Sequence, residues 1–105
     1  AGRWDRARVL YEALEKRSAR DVQLLCDLAL VRLKTGDAPG ALAAAREAYR
    51  LQRANPVAAQ VLGMALTASG GPEAQAVALL AKARAIMGDS PALSEARIAL
   101  ANRPG

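Results

Sequence analysis

The stretch Asn55–Pro91 reads NPVAAQVLGMALTASGGPEAQAVALLAKARAIMGDSP. It opens on Asn55-Pro56 and closes on Ser90-Pro91, each a side-chain cap followed by proline at a first helical position, 35 residues apart (90 − 55). An Asn or Ser oxygen satisfies the unpaired N–H groups of a first turn, and proline there gives up an N–H that has no helical partner. Between the two signals, Gly70-Gly71-Pro72 marks a turn. The spacing predicts one helix from Pro56 to about Ser69 and another from Pro72-Glu73 through Val77, Leu79, Leu80, Ala83 and Ile86 to about Met87. So short a turn forces the two helices to lie antiparallel, as a helical hairpin.

The same reading extends outward in both directions. Upstream, Asp21 caps a helix carrying Leu24, Leu25, Leu28, Ala29, Val31 and Leu33 at helical spacings, which stops at Lys34-Thr35-Gly36. Asp37 caps the next, with Pro39 in its first turn and the small-residue run Ala41, Ala43, Ala44, Ala45 and Ala48; it is expected to reach about Arg53. Earlier still, Trp4, Ala7, Val9, Leu10, Tyr11, Ala13 and Leu14 recur in a helical rhythm from Gly2 to about Arg17, before a polar break at Ser18 to Asp21. Downstream, Leu93, Ala96, Ile98 and Leu100 form a last helix from Pro91 to about Ala101, and Arg103-Pro104-Gly105 is a tail. Gly2, Gly36 and Gly70 share one register, 34 residues apart (36 − 2 and 70 − 36).

Composition supports an all-helical chain. Alanine supplies about a quarter of the 105 residues, hydrophobic residues 52%, aromatics only 3%, and phenylalanine is absent. Alanine has the best helix propensity and lets helices approach closely, while the aromatic strand formers are scarce. The length suits one domain.

With one cysteine, Cys26, and no histidine, an intramolecular disulfide and the familiar Cys/His metal clusters are excluded. Cys26 has no histidine to activate it, and Leu25, Asp27 and Leu28 would not lower its pKa, so it reads as a packed thiol. Gly70-Gly71 lacks the lysine and hydroxyl of a phosphate loop. Trp4, Tyr11 and Tyr49 read as core or ridge residues. These absences point away from an enzyme and imply no cofactor.

The net charge of +5 raises the question of a nucleic-acid partner. Its densest cluster, Arg3, Arg6, Arg8, Lys16, Arg17 and Arg20, is interleaved with Asp5, Glu12 and Glu15, and Glu12 to Lys16 has the favourable i,i+4 orientation. A solvated, ion-paired face follows, with nucleic acid a distant third among the readings. No stretch approaches the roughly 18 unbroken apolar residues that a membrane helix needs. The compartment stays open between cytoplasm and periplasm. The chain begins with alanine and its first helix lacks a hairpin partner, which suggests a segment of a longer protein.

The pattern resembles the tetratricopeptide repeat (TPR), whose unit is 34 residues. Leu62-Gly63 with Leu66, Gly70, Ala76 with Leu80, Ala83 and Pro91 match its first helix, turn, Ala-x3-large pair, small site and terminal proline. Leu25, Leu28-Ala29, Gly36-Asp37, Ala41-x3-Ala45, Ala48 and Pro56 fill the same sites one unit earlier, with Ala29 in place of glycine and Ala45 in place of the bulky residue. Gly2, Ala7 and Tyr11 match only a second helix. The alanine- and arginine-rich style is similar to that of TPR proteins of high-GC bacteria, including those of envelope export and exopolysaccharide systems.

The resemblance implies a right-handed α-α superhelix of six antiparallel helices in three stacked hairpins. Its parts are a partial repeat over 1–20, repeats over 21–55 and 56–90, and a terminal helix over 91–102. It also implies a non-enzymatic scaffold that binds a peptide or protein segment in a concave groove lined by the first helix of each hairpin. Projected onto this chain, the groove residues are Gln23, Cys26, Asp27, Leu30 and Lys34, then Gln60, Met64, Thr67 and Ala68. Gln and Thr would bond a peptide backbone, and Leu30 and Met64 would take an aliphatic side chain. The Lys/Asn/Arg clamp that some family members use for carboxylates has Cys26, Leu30, Gln60 and Met64 at its sites, which supply no convergent cations. The alternative reading is a structural spacer or assembly surface of a longer repeat protein, with self-association through end helices bearing Val9, Leu10 and Leu14, or Leu93, Ile98 and Leu100.

Overall fold

The computed structural model describes residues 2–15 and 21–102, apart from the side chains of Leu14, Glu15 and Ala92. The Glu12–Lys16 pair, the break at Ser18, the tail at Arg103 and the exposure of Leu14 lie outside the described residues. Among those described there are six helices and no strand: α1 (Gly2–Glu15), α2 (Val22–Lys34), α3 (Ala38–Leu51), α4 (Pro56–Ser69), α5 (Glu73–Met87) and α6 (Pro91–Ala101).

Four helices start on the side chains that the sequence nominated. Asp21 Oδ1 accepts from the Leu24 N–H at 3.1 Å, and Asp37 Oδ1 from the Gly40 N–H at 2.9 Å. Asn55 Oδ1 accepts from both Val57 N–H and Ala58 N–H, and Ser90 Oγ from the Leu93 N–H. The ends of α2 and α4 repeat one device. Gly36 and Gly70 take left-handed φ values of +83° and +74°. The next residue then donates its N–H back to a carbonyl five residues earlier, Asp37 to Arg32 and Gly71 to Leu66, both at 2.8 Å. Gly2 shares the register but not the role, because it is the first residue of α1 rather than a left-handed turn. Helix α3 stops at Leu51, two residues before the expected Arg53. No glycine ends it; the Asn55 N–H closes a turn on the Gln52 carbonyl instead.

Each helix packs on its chain neighbour. In addition, α2 packs on α4 and α4 on α6, whereas α1, α3 and α5 make no comparable backbone approach to one another. The molecule is therefore two-layered, with the even helices touching along one layer and the odd helices spread along the other. Small residues permit this closeness: Ala41, Ala44, Ala45 and Ala48 of α3 and Ala76 and Ala83 of α5 are buried. Leu25, Leu28, Leu66, Leu80 and Leu93 supply the largest buried bulk.

Gly63 shows why the layers need a small residue at one point. A Cβ built there would lie 2.8 Å from Leu80 Cδ2 and 2.9 Å from Leu80 Cγ. One repeat earlier the corresponding residues are Ala29 and Ala45, both fully buried. Both positions are therefore small in that hairpin, where the later one sets glycine against leucine.

Polar ties fasten helices at two places, the first between the layers and the second within the odd layer. Arg32 of α2, only 15% exposed, donates to Glu12 Oε2 of α1 and to the Gly40 carbonyl of α3. Glu12 therefore faces α2 and is not part of a purely solvated charge face. Lys82 Nζ of α5 donates to Tyr49 Oη at 3.0 Å and to the Arg53 carbonyl at 2.6 Å.

Candidate functional site

On the layer of even helices, the structure opens a hollow of about 270 Å³ between α2, α4 and α6. Leu30 and Lys34 reach it from α2, Met64, Thr67 and Ala68 from α4, and Glu95, Ala96 and Ala99 from α6. The local reason is helical phase. Leu30 with Lys34, Met64 with Ala68, and Glu95 with Ala99 are i,i+4 pairs, so each pair lies on one face, one turn apart. The 34- and 35-residue offsets then set Leu30, Met64 and Ala99 in a common row across three helices. Leu30 and Met64 are of similar bulk and Ala99 is small, and the hollow's floor is apolar.

Its rim is polar and of mixed sign. Lys34 contributes an exposed cation on the α2 side and Glu95 an exposed carboxylate on the α6 side. Thr67 is half-buried, and its hydroxyl donates to the Gly63 carbonyl at 2.8 Å. That internal bond uses the hydroxyl's single proton, so towards a ligand Thr67 is an acceptor only. An extended peptide seated here would meet an apolar strip, one acceptor and opposite charges at its two edges.

The other nominated residues sit elsewhere. Gln23 and Asp27 lie near the start of α2 and satisfy each other, Gln23 Nε2 donating to Asp27 Oδ1 at 3.0 Å. Gln60 is half-buried one turn before Met64 and does not line the hollow. Cys26 is 2% exposed and belongs to the hydrophobic core. Three neighbours, α1, α3 and α4, pack on α2, so its buried positions spread beyond one stripe. Burial, and then the Asp27 carboxylate beside it, push the Cys26 thiol up to about 11. At neutral pH it is protonated and a weak nucleophile.

Sequence reasoning missed α6 as a wall of this hollow. The 35-residue offset that relates Asn55-Pro56 to Ser90-Pro91 also relates Gln60 to Glu95 and Met64 to Ala99, and that signal was in the chain. A larger hollow, about 590 Å³, lies on the opposite side of α6, between α5 and α6. The two share no residue.

Among the described residues, no three His, Cys, Asp or Glu side chains gather as a metal site, and no helix is long and apolar enough to cross a membrane. Comparison with protein-family models gives no match, and comparison with curated proteins gives none either.

Proposed function

We propose that this chain is a non-enzymatic protein-interaction module of the tetratricopeptide type, which holds a peptide or an extended protein segment in the hollow formed by α2, α4 and α6. One observation carries the reading. Leu30, Lys34, Met64 and Thr67, nominated by projecting the groove that the tetratricopeptide resemblance implies, converge from two helices on one concavity, and α6 adds a third wall in the same register.

The packing pattern supports the architecture that this requires. The backbones of even helices approach each other and those of odd helices do not, which supports an array curved with the even layer on its inner side. A right-handed superhelix of hairpins has that inner face for binding. The Schellman turns at Gly36 and Gly70 and the Gly63–Leu80 contact are consistent with stacked 34-residue units. An aliphatic floor with a few polar groups at the edge suits side-chain burial combined with orientation.

Selection of random peptides displayed on phage against the chain tests the proposal. Enriched peptides are expected to lose binding on Leu30→Glu and on Met64→Glu, and to retain it on Val9→Glu, which lies on the outer face of α1. Peptides indifferent to both groove substitutions would remove the site.

The second reading, an assembly surface, has its own observation in the apolar hollow between α5 and α6.

A further inference from the structure

The outer face of α5 differs in kind from that of α3. At Arg46, Tyr49 and Arg50 of α3, the corresponding positions of α5, 35 residues on, are Ala81, Arg84 and Ala85. Ala81 and Ala85 are exposed, as is Val77 at 49%. On α6, Ile98 is 60% exposed at the register position of Gly63 and Ala29, both of which are buried. Beside them runs the groove of about 590 Å³, floored by Val77, Leu80 and Leu100. Its charges are segregated. Glu73 stands at the start of α5, and Arg84 and Arg97 stand towards the other end, where they share the single carboxylate of Asp89 at 3.1 and 3.5 Å. One end is therefore acidic and the other keeps a net positive charge.

We infer that this groove is a two-fold interface that binds a second copy of the same chain, α5 packing antiparallel on α5 of the partner. A two-fold contact must be self-complementary, with residue i on j and j on i. Reversing the helix direction about a point near Leu79 sets Glu73 of each chain against Arg84 of the other. The same operation lays the apolar stretch from Val77 to Ala81 of each chain along that of the other. The eleven residues from Glu73 to Arg84 (84 − 73) span about 16 Å of helix, so the two cannot pair within one chain. A helix packed on α6 as α5 packs on α4, with a leucine in the place of Leu80, would collide with Ile98, because even a Cβ at the matching Gly63 already meets Leu80 at 2.8 Å. The partner's α5 approaches from the α5 side and avoids that collision. This inference does not rest on the peptide-binding reading, since the two hollows share no residue.

Sedimentation equilibrium of the 105-residue chain over a wide concentration range is the test. The wild type is expected to reach a species of twice the 11.0 kDa chain mass. Val77→Glu and, separately, Ala81→Glu should return it to monomer, with far-UV circular dichroism unchanged because both sites are exposed. Glu73→Arg and Arg84→Glu should each raise the dissociation constant about tenfold by setting like charges together. Mixing those two variants should form a heterodimer with both ion pairs restored. A wild type that stays monomeric to about 1 mM overturns the inference and leaves the groove to a different helix. A dimer that Val9→Glu breaks and Val77→Glu does not, or a mixture that shows no rescue, overturns it equally.

Discussion

At Gly63 the absence of a side chain sets the distance between two helices. The Leu80 side chain occupies the space that a Cβ would enter, at 2.8 Å. Gly63→Ala is expected to destabilise the wild type, since overpacking costs about 1–3 kcal/mol and exceeds the roughly 1 kcal/mol that alanine gains over glycine in a helix. In a Leu80→Ala background, itself about 2–5 kcal/mol less stable, the obstruction is gone and Gly63→Ala becomes stabilising. Urea unfolding of the four proteins checks the change of sign; an equal effect in both backgrounds would mean that the contact does not constrain the pair. Cys26 gives a second residue-scale expectation. Its folded-state value of about 11 lies above the ordinary 9.0, so the folded chain holds the proton more tightly than the unfolded one. The associated stability is complete below pH 9 and is lost as pH rises towards 11, by at most about 1.4 kcal/mol per pH unit. Cys26→Ala should lose that slope, as measured by denaturant unfolding at pH 8 to 11, and the native thiol should resist disulfide reagents at neutral pH.

For single helices, the starts were legible because their causes are local. Asp21, Asp37, Asn55 and Ser90 announce a cap by chemistry and position, and each accepts the N–H bond expected of it. The end of α3 was not legible, since it depends on a turn at Gln52 rather than on a glycine. Asn55→Ala should cost about 1 kcal/mol through two unsatisfied N–H groups at the start of α4. Gly70→Ala should cost about 1–2 kcal/mol, because a side chain strains the left-handed turn at its end. The two sites are about 20 Å apart along the helix, so their effects should add. Thermal unfolding of the double variant tests this, and marked non-additivity would show that α4 does not melt with the rest. Within the candidate site, Leu30, Met64 and Thr67 were nominated by projecting the groove that the sequence resemblance implies, and they do share one hollow. Cys26 carried two readings, a packed thiol and a groove residue, and the three helices packed on α2 decide for the first. The groove beside α5 was not legible. Val77 and Ile86 look like core residues in a helical pattern, yet they are 49% and 56% exposed.

Across the whole molecule, stability should be graded, since each helix meets only a few others. Helix α4 packs on α2, α3, α5 and α6, whereas α1 packs on α2 alone and leaves Val9 and Leu10 about three-fifths exposed. The polar tie that holds α1 is Arg32, which also fastens the start of α3 through the Gly40 carbonyl. Local opening follows the density of buried contacts, so backbone amides of α1 should exchange with deuterium fastest and those of α4 slowest. Arg32→Ala removes charge-assisted bonds at a partly exposed pair, about 1–2 kcal/mol after allowance for solvent screening. Exchange in α1 should then quicken about tenfold, while α4 and α5 change little. Arg32→Lys keeps the charge but not the fork that reaches two helices at once, and is expected to recover only part of the protection. Exchange that quickened uniformly over all six helices would instead make the chain a single cooperative unit. The graded response is the one that a two-layer stack with nearest-neighbour coupling requires.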